Sequence, residues 1–223
     1  MTAEPNETGI TRWAGITEPT TVLTNVVLSI VAFVFSARLG IQAAADGANA
    51  GASLAGGLLA TALAAALGAT AHGLDPVTDG EVRARFWRAS LYTTGLIGVG
   101  TIASTAFFAA RGTARSALLT FALIKFLLFL VVVTRKPEFR VAAIDYTAAL
   151  AVLLGGACYG LFRWHEPGAT WLIAGVVVSL IAGLVQALRV SPHRWFNHND
   201  LFHVIEIAAL YLFYRGGLLL VDR

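Results

Sequence analysis

The sequence is short of charge. Asp, Glu, Lys and Arg make up 13% of its 223 residues, about half of the roughly one quarter usual in a water-soluble domain, so a fully solvated surface is excluded. Disorder and coiled coil are excluded as well, because each needs charge or a heptad period that is absent here. Cysteine is almost missing. The single Cys158 cannot close an internal disulfide and sits in an apolar stretch, where it reads as an inert packing residue. A basic start is missing too: residues 1–17 are polar and hold Glu4, Glu7 and Arg12, a poor match to a signal peptide. What is abundant is apolar, with 57% hydrophobic residues and a mean hydropathy of +0.72. The formal net charge of +3 is spread over short loops, and no nucleic-acid partner is expected.

Seven apolar segments can be marked, at residues 20–37, 53–72, 89–110, 116–134, 141–162, 170–188 and 199–220. Each is long enough to cross a bilayer, and backbone polar groups in lipid must be satisfied within a segment, so each is expected to be a helix. The expected fold is all-α: one integral membrane bundle of seven transmembrane helices over residues 1–223, with 1–17 as a polar N-terminal segment. Seven crossings put the termini on opposite sides. The N-terminal side collects Arg12, Arg83, Arg85, Arg88, Arg135, Lys136, Arg140, Arg189 and Arg194, and the other side Arg38, Arg111, Arg115, Arg163, Arg215 and Arg223. That excess predicts a cytoplasmic N-terminus in a bacterial inner or plasma membrane. Trp13, Trp87 and Trp195 at one end and Trp164 and Trp171 at the other fit two interfacial belts. The second segment is mostly Ala and Gly, which suits close packing on several neighbours or a homodimer contact.

Polar groups at membrane depth are costly, so their positions carry most of the information. Glu18, Thr21, Asn25 and Ser29 are spaced to share one helix face. The second segment ends with His72, followed by Asp75, and the seventh begins with His198, Asn199, Asp200, His203 and Glu206. Because helices alternate in direction, Glu18, Asn25, His72, Asp145, Asp200 and His203 are expected at similar depth near the N-terminal side. Structural readings stand beside these: Asn197 with Asp200 fits a capping box, and Glu18-Pro19 an ordinary helix start. Lys125, mid-helix, is expected to pair with Glu206 as a buried ion pair, with Asp145 as the second choice.

Glu18-Pro19 with Asn25, the histidine closing the second helix, and Asn199-Asp200-Leu201-Phe202-His203 opening the seventh resemble the CREST superfamily of seven-helix membrane hydrolases, which includes alkaline ceramidases, adiponectin-type receptors and hemolysin III proteins. The resemblance implies a Zn²⁺ held by His72 and His203. The family's other helix-7 histidine falls on Asn199, and its helix-2 serine on Gly68. Asp200, one turn from His203, could complete the ligand set, and so could His198. A zinc-bound hydroxide would then attack an amide or ester of a membrane lipid, with Asp75 or Asp145 accepting the proton. Two alternatives stay open: a non-catalytic receptor or stress-type relative, and a small proton- or ion-conducting protein using Glu18, Asp145, His203 and Glu206.

Overall fold

Long apolar runs can leave no backbone N–H or C=O unpaired in lipid, and they fold into helices. A computed structural model describes residues 12, 13 and 15–223; Glu4 and Glu7 of the polar segment lie outside the described residues. A two-residue hairpin pairs β1 (Arg12–Trp13) with β2 (Ile16–Thr17). Seven helices follow: α1 (Pro19–Asp46), α2 (Asn49–Gly73), α3 (Gly80–Ala109), α4 (Gly112–Arg135), α5 (Phe139–Trp164), α6 (Ala169–Ala187) and α7 (His198–Gly217). The first and third outrun their apolar segments. Gln42 and three alanines carry α1 on to a left-handed Gly47 cap, and α3 opens on Glu81, Arg83 and Arg85, all residues of good helix propensity.

α1 to α6 are long and apolar enough to cross a membrane, which suits a multi-pass membrane protein. α7 carries Asp200, Glu206 and Arg215 within 20 residues and falls short of that apolarity, so helix apolarity supports six spans rather than the expected seven. α1 packs on α2 and α7, α2 on α3, α3 on α5, α5 on α6, and α6 on α7. Six helices thus close a ring. α4 rests outside it on α3 and α5 and is the least buried of the six apolar helices.

The Ala- and Gly-rich α2 is the most buried of them, as small residues allow. It crosses α3 with backbones in direct contact: a Cβ on Gly100 would lie 2.6 Å from the Gly57 nitrogen and 2.7 Å from the Ser53 carbonyl oxygen. The far end of the ring is tied by the chain's last residues. Asp222 accepts from the Asn49 and Ala50 amides and the Asn49 side chain, each at 2.8 Å. It caps α2 from a distance, since Ala48 at the N-cap has no side chain to do so. Asp222→Ala is expected to cost about 1 kcal/mol, read as a lowered midpoint in thermal unfolding in detergent.

Placing α4 outside the ring corrects the expected Lys125–Glu206 pair. Lys125 instead meets Asp145 on α5, with Nζ 2.5 Å from Oδ1. Lys125 and Glu206 reach comparable depth, but depth along a helix says nothing of direction around it. Lys125 reaches the ring from outside, whereas Glu206 faces inward towards α5 and α6.

Candidate functional site

The N-terminal turns of α1 and α7 and the C-terminal turn of α2 meet at one end of the ring. Glu18 has the left-handed backbone rare outside glycine (φ 48°). Its Oε2 lies 2.8 Å from His72 Nδ1, which ties the start of α1 to the end of α2. Thr17 Oγ1 reinforces the tie through the carbonyls of His72 and Leu74. Burial by itself raises the Glu18 carboxyl, but the His72 hydrogen bond and charge, with Arg83 and His198 beyond, hold it below its ordinary value of 4.5. A carboxyl depressed on folding stabilises the fold above its unfolded pKa, and that contribution is lost as pH falls through the lower folded value. Thermal midpoints of the native chain and Glu18→Gln should therefore differ at neutral pH and converge in acid below 4.5.

On α7 the capping box forms. Asn197 Oδ1 accepts from the Asn199 amide at 2.8 Å and Asp200 Oδ2 from the Asn197 amide at 2.7 Å. Asp200 Oδ1 faces Thr24 Oγ1 at 3.4 Å, and the same hydroxyl lies 3.0 Å from His203 Nδ1. Asp200 is fully buried. One α1 threonine thus links the cap to the histidine. Asn199 turns the other way and accepts from Gln186 on α6 at 2.7 Å. His198 sits against Ser191.

The structure brings together Glu18 with His72 and, through Thr24, Asp200 with His203. Asp200 is committed to the cap and Thr24, His198 to Ser191, and among the described residues no three His, Cys, Asp or Glu side chains gather as a metal-binding group. Both residues expected to accept a proton have other partners. Asp145 faces Lys125, and Asp75 shapes the α2–α3 turn, where its Oδ1 accepts from the Val77 and Thr78 amides.

Between the helices the ring holds a half-open cavity of about 120 Å³. Asn25 and Leu28 of α1, Thr61, Ala64 and Ala65 of α2, Ser90 and Thr94 of α3, Tyr146 of α5, and His203 and Glu206 of α7 line it. Phe139 and Phe202, stacked edge to face at 5.9 Å, line it where α5 and α7 begin. Gly68 packs against two of the lining residues, where a Cβ would make ordinary contacts at 3.4 Å to Asn25 Oδ1 and 3.6 Å to Ser90 Oγ. One of the cavity's polar lining groups is Glu206. Tyr146 Oη and Ser179 Oγ both donate to its Oε1 at 3.0 Å, while Oε2 is buried with no partner. A buried carboxylate oxygen left without a donor carries a desolvation cost, which a ligand could remove.

Tyr146, Ser179 and Thr24 were not legible as site residues. Each is an isolated hydroxyl in an apolar helix, a pattern shared by Thr93, which bonds only its own backbone.

The fold and cavity define a helical membrane bundle with a half-open, partly polar pocket. The chain belongs to the family of unknown function DUF6962, whose model matches residues 20–222. No curated protein and no solved structure matches it.

Proposed function

We propose that this chain is a membrane receptor or carrier that holds the polar head of a neutral amphiphile in the ring cavity, without needing a metal. Its seven helices all cross the bilayer, with the N-terminus on the cytoplasmic side, in line with the basic excess at that end. The observation that carries the reading is Glu206: a buried acceptor, held by Tyr146 and Ser179, with its second oxygen unpaired in a cavity. A head bearing hydroxyl or amide N–H donors satisfies such a site, and a head with acceptors alone does not. The volume suits a head of a few heavy atoms, with the acyl chains leaving between helices into the bilayer. A neutral lipid amide with free hydroxyls, such as a ceramide, has this chemistry.

The test is equilibrium binding of a labelled short-chain ceramide to the purified chain in neutral-lipid nanodiscs. Saturable binding unchanged by a strong chelator is expected. No saturable binding to folded protein, or binding abolished by the chelator, contradicts the reading.

A second reading, hydrolysis of a lipid amide or ester with zinc at His72 and His203, is favoured by one feature. Both imidazoles have Nδ1 fixed by an oxygen partner, which leaves Nε2 for a ligand, as in orienting contacts around metal sites. Zinc near one per chain, lost in His203→Ala, with chelator-sensitive cleavage of the same ceramide, is the result that selects it.

A further inference from the structure

The opposite end of the bundle gathers cations around one indole. The guanidinium carbons of Arg163, Arg111 and Arg223 lie 4.5, 4.9 and 5.5 Å from the centroid of a Trp164 ring. Arg115 lies 5.3 Å from the ring of Phe107, whose carbonyl accepts from the Arg223 amide. Each cation–π contact is favourable alone. Three guanidinium groups on one ring repel one another unless an anion sits among them.

The chain supplies one. Glu166 is buried and already engaged by Arg223 Nη2 at 2.6 Å and by the Val221 amide at 3.2 Å. Among the described residues Arg111 and Arg163 have no carboxylate partner, and Arg115 donates only to the Ala110 carbonyl. Two further donors in the same cluster, Trp164 Nε1 and Arg223 Nε, are buried with no acceptor. α4 also begins here at Arg111 with no side-chain cap, so its first amides add positive potential. Donors and positive charge are in surplus, and acceptors are short.

We propose that Arg111, Arg163, Arg115 and Trp164 form a binding site for a phosphate group, supplied by the headgroup of an anionic phospholipid. A phosphate has several oxygens in different directions, which suits forked guanidinium donors arriving from separate elements. The lipid is favoured as the source because the cluster lies at the ends of apolar helices, where headgroups sit. This site is independent of the ring cavity.

Native mass spectrometry of the full chain, loaded with phosphatidylglycerol or phosphatidylcholine, tests it. The wild type should retain phosphatidylglycerol in preference. Each interfacial arginine is worth roughly fivefold towards an anionic headgroup, so Arg111→Gln/Arg163→Gln should weaken retention about 25-fold. Arg135→Gln/Arg194→Gln at the other end should leave it unchanged, and Arg111→Lys/Arg163→Lys should keep part of it and shows that loss is not misfolding. Calorimetry with inorganic phosphate in phosphatidylcholine nanodiscs separates the sources. Arginine-dependent binding of free phosphate without lipid retention keeps the phosphate site but makes its ligand a solute. Equal retention of phosphatidylglycerol by the wild type and by folded Arg111→Gln/Arg163→Gln overturns the proposal.

Discussion

Lys125→Met, with Asp145 left in place, is expected to destabilise the bundle by about 3–5 kcal/mol, and Lys125→Met/Asp145→Leu to recover most of that loss. Both side chains are nearly inaccessible, with 10% of the lysine and 6% of the aspartate exposed. Asp145 Oδ2 already lacks a partner, so removing the ammonium leaves a buried carboxylate with no counter-charge. Replacing both residues removes the charge itself, and apolar packing of α4 against α5 substitutes for it. Glu206 cannot compensate, because its carboxylate is held by Tyr146 and Ser179 inside the ring. Denaturant titration followed by helical circular dichroism reads the difference. Stability of Lys125→Met equal to the wild type would show that the pair is not formed.

Gly100→Leu is expected to be the other severe substitution, costing about 3 kcal/mol and lowering the yield of folded protein. The clash is with the backbone of α2, at Gly57 and Ser53, and backbone cannot rotate aside as a side chain can. Gly56→Leu is the control, since a Cβ there meets nothing within 4 Å. The crossing also bears on the proposed function, because α2 and α3 both line the cavity, through Thr61, Ala64, Ser90 and Thr94. Forcing them apart should weaken ligand binding along with stability.

The helical class was legible from composition and run length alone, because a bilayer leaves the backbone few options. The ends at which polar residues gather were legible from alternation: Glu18, His72, Asp200 and His203 do share one end. The capping box was legible too, from the spacing of Asn197 and Asp200. Direction around each helix was not. The Lys125 partner, the turn of Asn199 towards Gln186 and the engagement of Asp145 away from the cavity all depend on which helix lies beside which, and α4 sits outside the ring for reasons no single segment carries. The cavity was legible least of all. A void is made by what is small or missing, here Ala64 and Ala65 in its lining, and an alanine in an Ala-rich helix looks the same whether it faces a neighbour or a space.

The central claim is that Glu206 reads hydrogen-bond donors on a lipid head inside the ring. The most direct measurement is a comparison of the affinities of a short-chain ceramide and its di-O-methyl analogue for the wild type, Glu206→Leu and Ala143→Phe, a variant that fills the cavity from α5, where Ala143 lines it. A net hydrogen bond contributes about 0.5–1.5 kcal/mol, so the wild type should prefer the ceramide by roughly two- to tenfold. Glu206→Leu should bind the two alike, and Ala143→Phe should bind neither. Discrimination that survives unchanged in folded Glu206→Leu would contradict the account.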